Sequence, residues 1–77
     1  MTNQATKLIN LGKNIKKARK NKKLSQNDLA EMLDISREHL AKIETAKRKI
    51  SLGLLFKMSD ALEVPEKILL DFSEIQK

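Results

Sequence analysis

Residues 25–45 read Ser25-Gln26-Asn27-Asp28-Leu29-Ala30-Glu31-Met32-Leu33-Asp34-Ile35-Ser36-Arg37-Glu38-His39-Leu40-Ala41-Lys42-Ile43-Glu44-Thr45. Two helix starts stand in this stretch. Ser25 has Asp28 three residues on, so the serine oxygen and the carboxylate can each accept the other residue's free backbone N–H. Leu29, Ala30 and Leu33 then supply the buried face of one helix, which should stop at Asp34, a residue type that tolerates a left-handed turn. Ile35 and Ser36 form the join, and Ser36 is a good N-cap for a second helix over about Arg37 to Thr45. Leu40 and Ile43, a three-residue step apart, mark that helix's inward face.

Two helices that cross steeply over a short turn need a small side chain at the crossing, a turn residue tolerant of positive φ, and apolar anchors on the inner side. Ala30, Asp34 and the Leu/Ile set meet those needs, so residues 26–45 are read as a helix-turn-helix. The outer face of its second helix carries Arg37, Glu38, Ala41, Lys42 and Thr45. Polar groups held there can meet base edges in a major groove.

Working outward, Leu8, Leu11, Ile15 and Ala18 draw one apolar stripe on a first helix that runs to about Asn21. Residues 1–7 are polar and aperiodic and are expected to be a flexible N-terminus. On the other side, Ser51 is a plausible cap for a fourth helix with Leu54, Leu55, Met58 and Leu62 at helical spacing. Glu63-Val64-Pro65 breaks it, and Pro65 suits the first turn of a fifth helix from Glu66 to about Ser73, leaving 74–77 as a tail. The expectation is one five-helix, all-α domain over residues 8–73.

Composition agrees. The chain has 77 residues, 40% of them apolar, which suffices for one modest core and no second domain. Two glycines, one proline and two aromatics favour helices over strands. With no cysteine, neither a disulfide framework nor a thiolate zinc site is available. No apolar run approaches a membrane span or a signal peptide, so a cytoplasmic setting is the default expectation. The net charge is +6, and its placement is uneven: residues 1–27 hold Lys7, Lys13, Lys16, Lys17, Arg19, Lys20, Lys22 and Lys23 before the first acid, Asp28. A second basic run, Lys47-Arg48-Lys49, follows the helix-turn-helix. Two separated basic segments can converge on one polyanion.

Over roughly Leu8 to Leu70 the sequence resembles the Xre-type, phage Cro/repressor-like helix-turn-helix family. The carrying segments are Leu24 to Ala30, Ile35-Ser36-Arg37, Leu40 to Glu44, and Ala61 to Pro65. The resemblance implies a lambda-repressor-like fold and a sequence-specific regulator of transcription that binds double-stranded DNA, with no cofactor, no small-molecule ligand and no membrane partner. It makes Gln26, at the start of helix 2, a phosphate contact. A helix N-terminus with free N–H groups is already an anion site. Arg37, Glu38 and Lys42 fall at the family's base-reading positions, where Arg or Lys suits guanine and Glu can accept from cytosine. Ser36, His39, Lys47, Arg48 and Lys49 are assigned to phosphates; the lone His39, with no cysteine or second histidine, is a poor metal or catalytic candidate. No metal site is expected. Glu44, in a last turn where the helix dipole disfavours an anion, asks for a cation, and the resemblance pairs it with Arg19 as a structural ion pair.

Asp34 and Ala46 stand where the family often has glycine, and Ile50 where proline is common. Alanine resists a left-handed helix end, so a helix 3 that runs on through Ala46, displacing Lys47–Lys49, is the alternative there. Helix 5 holds more apolar residues than one inward stripe needs, and Ile68, Leu69, Phe72 and Ile75 are read as a homodimer surface. A two-fold dimer would present two reading helices to an inverted repeat about one DNA turn apart. The length and the Arg48 to Leu52 stretch also resemble restriction-modification controller proteins and small phage or mobile-element repressors. An antitoxin-type interaction module that regulates its own operon is the alternative from another class. For an enzyme there is almost nothing: no Gly-rich phosphate loop, one histidine, and acids without paired spacing.

Overall fold

The computed structural model describes residues 4–73, which form five helices: α1 (Gln4–Asn21), α2 (Gln26–Leu33), α3 (Arg37–Glu44), α4 (Leu52–Leu62) and α5 (Glu66–Leu69). The architecture is all-α, as expected. Leu11, Ile15 and Ala18 of α1, Leu29, Ala30 and Leu33 of α2, Leu40 and Ile43 of α3, Leu55, Met58 and Leu62 of α4, and Leu69 of α5 close one core. Leu24, Ile35, Ile50 and Val64, from the connections, pack against it. Among the described residues no helix is long and apolar enough to cross a membrane.

Each expected serine cap is formed. Ser25 and Asp28 make a reciprocal capping box, with the Ser25 hydroxyl oxygen 3.0 Å from the Asp28 N–H and the Asp28 carboxylate 2.9 Å from the Ser25 N–H. The Ser25 backbone N–H and hydroxyl hold the Asp28 carboxyl below its ordinary range. Ser36 accepts from the His39 N–H at 3.0 Å and Ser51 from the Leu54 N–H at 3.1 Å.

Two helix limits differ from the sequence reading. α1 begins at Gln4, so residues 4–7 are helical where a flexible segment was expected. Once the buried stripe has nucleated the helix, each further turn costs little, and Gln4, Ala5 and Lys7 are good helix formers. α5 ends at Leu69 instead of about Ser73. Side-chain amides of α1 capture the chain there: Asn14 donates to the Leu69 carbonyl at 2.9 Å and to the Asp71 carbonyl at 3.0 Å, and Asn10 donates to the Asp71 carbonyl at 3.2 Å. These tertiary bonds replace the helical ones. A further bond fastens α5 to α4, the Ser59 hydroxyl donating to the Glu66 carboxylate at 2.5 Å, which holds the Glu66 carboxyl below its ordinary range.

The first four helices end alike, and none uses glycine. Lys23, Asp34, Ala46 and Glu63 all have positive φ, between 57° and 62°. The next residue donates back across the turn in each case: Leu24 to Arg19, Ile35 to Ala30, Lys47 to Lys42 and Val64 to Ser59. α3 therefore does not run on through Ala46; it stops at Glu44, and Ala46 takes the left-handed turn at φ 62°. The backbone bonds and the inward pull of Ile50 outweigh the steric cost of about 1–2 kcal/mol. Ala46→Gly should relieve that cost, less the greater entropy of an unfolded glycine. The expected net gain is roughly 0.5–1 kcal/mol, read as a rise of a few degrees in melting temperature. A lower melting temperature would show instead that packing of the Ala46 methyl outweighs the strain.

Candidate nucleic-acid interface

α2 and α3 are joined by Asp34, Ile35 and Ser36. The left-handed Asp34 reverses the chain, Ile35 tucks against the core, and the Ser36 cap starts α3. Leu40, Ile43 and Glu44 are buried, which turns Arg37, Glu38, Lys42 and Thr45 outward as exposed side chains with Ala41 half-buried between them. Lys42 and Glu38, one turn apart, form an ion pair at 3.5 Å. Thr45 folds its hydroxyl onto the Ala41 carbonyl at 2.9 Å. Lys47, Arg48 and Lys49 follow as exposed residues with no ion pair among the described residues, and His39 is half-buried. Among the described residues no group of His, Asp and Glu is arranged to hold a metal ion.

Beneath this surface lies a buried charge cluster. Arg19 of α1 donates from Nε to Glu44 Oε2 at 2.7 Å and from Nη2 to Oε1 at 3.2 Å, and from Nη1 to the Leu24 carbonyl at 2.9 Å. Its side chain and that of Glu44 are 7% and 2% exposed. Gln26 donates from Nε2 to Glu44 Oε1 at 3.0 Å. The side chain read as a phosphate contact is thus also an internal bond from the start of α2 to the end of α3. A second amide hydrogen and the free N–H groups of the first turn of α2 remain for an anion. No buried side-chain polar atom among the described residues lacks a partner.

The residue the sequence reading passed over is Gly12. A Cβ built there would lie 2.3 Å from the Glu44 carbonyl oxygen and 2.9 Å from that of Ile43. The backbone of α1 touches the end of α3 at this point, and no side chain fits between. In sequence, Gly12 looks like a weak spot in a helix; nothing local marks it as a contact.

The residues proposed for a dimer surface separate. Leu69 is wholly buried in the monomer's own core, so that assignment is corrected: α5 turns it inward between α1 and α4. Phe72 is half-buried against the same core, Ile68 is exposed, and Ile75 lies outside the described residues. Five further large apolar side chains are exposed: Ile9 (49%), Met32 (55%), Leu52 (68%), Phe56 (52%) and Leu70 (42%), of which the sequence pointed only to Leu70, within the apolar-rich helix 5. Leu52 and Phe56 stand one turn apart within a nearly continuous apolar run, where spacing alone does not separate the inner face from the outer.

The family model of the helix-turn-helix matches residues 15–69, which includes all of α2, α3 and α4. The chain belongs to the helix-turn-helix family. It is 40% identical over 70 residues to the control protein C.MunI of Mycoplasma sp, covering 90% of this chain and 92% of that protein. Among solved structures it is similar to the restriction-modification controller protein C.AhdI of Aeromonas hydrophila, at 29% identity and a TM-score of 0.77 over 80% of this chain and 94% of that one. It is likewise similar to SinR, a master regulator of biofilm formation solved in complex with DNA, at 35% identity and a TM-score of 0.74 over 79% of this chain and 98% of that one. The helix-turn-helix of this chain is therefore shared with proteins named as regulators.

Proposed function

We propose that this helix-turn-helix chain is a transcription regulator of the restriction-modification controller type. It reads double-stranded DNA with α3 in the major groove and acts as a homodimer on an inverted repeat. The observation that carries the reading is the outward face of α3, where Arg37, Glu38, Lys42 and Thr45 project from a helix held rigidly by the Arg19–Glu44–Gln26 cluster. In this reading Arg37 makes the principal base contact, a two-pronged donation to guanine, with Lys42 and Glu38 beside it. Gln26, Ser36, His39 and the Lys47–Lys49 segment flank the groove and hold phosphates, fixing register without reading sequence. The kinship with C.MunI supports the controller assignment, and the SinR–DNA structure supports duplex DNA as the partner. Exposed Leu52 and Phe56 on α4, Ile68 on α5 and Leu70 just past its end support the homodimer.

Selection of random duplexes by the purified protein, followed by sequencing of the bound pool, tests this. The expected result is an enriched inverted repeat with half-sites about one helical turn apart. A pool without enrichment would overturn the sequence-specific reading. Two variants separate the roles. Arg37→Ala should relax base preference at one position by about 1–3 kcal/mol, whereas Lys47→Ala should weaken all duplexes alike and flatten the salt slope by about one. Indistinguishable behaviour of the two would defeat the division between reading and positioning.

A further inference from the structure

The interface described above leaves out a group of four lysines on α1. Lys13, Lys16, Lys17 and Lys20 are all exposed, and together with Asn21 they line one open surface depression. None of them is in an ion pair among the described residues, whereas Lys22 pairs with Glu63 and Lys42 with Glu38. Their spacing places them on one side of α1, the side opposite Leu11, Ile15 and Ala18. The flanks of the helix are already occupied. Gly12 and Arg19 face α3 on one side, and Asn10 and Asn14 face the end of α5 on the other. The lysines thus form a ridge along the back of α1, with Lys17 at its edge also lining the groove beside Ile68 and Asp71 at the end of α5.

Such a ridge opposes the helix that carries it. Lys13 and Lys17, and Lys16 and Lys20, are like charges one turn apart, a destabilising arrangement, and no acid precedes Asp28 to relieve it. A face that served solubility alone would mix both signs. From Lys13 to Lys20 the helix rises about 10 Å, over which one DNA strand presents roughly three phosphates at about 3.4 Å each.

We propose that this ridge is a second phosphate-binding track for duplex DNA, separate from the helix-turn-helix interface and indifferent to base sequence. Lysine ammonium groups are point charges that hold phosphate without the planar fork that reads a base. The ridge has no aromatic side chain on which a single strand would stack, since both phenylalanines lie on α4 and beyond α5. A membrane surface does not fit, because the apolar half of α1 is buried in the core. The choice of duplex as the polyanion rests on the DNA-binding reading given above. The phosphates come from DNA flanking the operator or from a second duplex.

The test is the salt dependence of binding a random-sequence duplex of about 30 bp, from about 50 to 200 mM salt. It compares the wild-type chain with the Lys13→Gln, Lys16→Gln, Lys17→Gln, Lys20→Gln quadruple variant. The variant is expected to keep its melting temperature or raise it, to bind at least about tenfold more weakly at low salt, and to show a log–log slope shallower by about two to three. A quadruple Lys→Arg variant should retain the slope. If the Gln variant's slope stays within about half a unit of wild type, the ridge is a solvated face and the proposal fails. A wild-type chain that selects no motif, yet binds duplexes with a steep slope that the variant loses, would sink the sequence-specific reading while upholding the ridge. A loss that disappears on duplexes trimmed to the operator identifies flanking DNA as the source. A loss that persists on them, with two duplexes bound per reading unit at excess DNA, identifies a second duplex.

Discussion

Gly12→Ala is expected to destabilise the domain by about 2 kcal/mol or more, lowering the melting temperature by roughly 10 °C or more. Two effects compete, and their magnitudes decide the sign. Alanine is the better helix former by about 1 kcal/mol, so propensity alone predicts stabilisation. Against it stands a Cβ 2.3 Å from the Glu44 carbonyl oxygen and 2.8 Å from its carbonyl carbon, both backbone atoms that no rotamer change can move. The end of α3 must shift, and with it Glu44 and the buried cluster. Gly53→Ala is the internal control. It is also helical, but nothing lies within 4 Å of its added Cβ, so the same substitution should be neutral or stabilise by up to about 1 kcal/mol. Thermal melts of the two variants check the prediction. Equal shifts of the same sign would mean that helix propensity, and not the α1–α3 approach, governs position 12. Because the displaced element is α3, the helix proposed to enter the major groove, Gly12→Ala should also weaken duplex binding in conditions where it remains folded.

The contrast between the two glycines shows where sequence reading stops. What repeats locally was legible: the Ser25–Asp28 capping box, the serine starts of α3 and α4, the apolar steps Leu29-Leu33 and Leu40-Ile43, and the left-handed Asp34 each follow from residues a few positions apart. What depends on a distant partner was not. α5 is cut short by amides on α1, 55 residues away in sequence at Asn14. Leu69 looked like surplus surface because the apolar residues crowd residues 68–75 beyond what one inward stripe needs, and only α1 and α4 decide that it points inward. Leu52 and Phe56 were hidden for the complementary reason, since five consecutive residues from Leu52 to Phe56 contain four apolar ones and no period survives in such a run. At the candidate interface the outward set on α3 was legible because burial of Leu40 and Ile43 fixes the remaining positions. The bond from Gln26 to Glu44 was not, since a glutamine beside a cap gives no sign of reaching Glu44.

Arg19→Ala is expected to cost about 3–5 kcal/mol, the largest effect of any single truncation considered for this chain. The pair itself is not what makes the number large. Bringing a guanidinium and a carboxylate out of water is expensive, and their attraction at 2.7 Å does little more than offset that penalty. Removing one partner is different. Glu44 would keep a buried carboxylate with only Gln26 donating to it, in the last turn of α3 where the helix dipole already disfavours an anion. The Leu24 carbonyl would lose its donor as well. For a domain of this size, whose total stability is on the order of 4–12 kcal/mol, such a loss brings it close to unfolding. The same reasoning predicts that Arg19→Met combined with Glu44→Leu recovers more than half of the loss, because no charge is then stranded. Urea denaturation of wild type, single and double variants makes the comparison, and a single variant within about 1 kcal/mol of wild type would show that water reaches Glu44 and that the cluster is not a buried one. The double variant also separates folding from reading. With stability restored but Gln26 released from Glu44, the first turn of α2 loses its tie to the end of α3. Duplex binding that stays weak in that variant would then assign the cluster a second task beyond holding the fold, the setting of the angle at which α3 meets the groove.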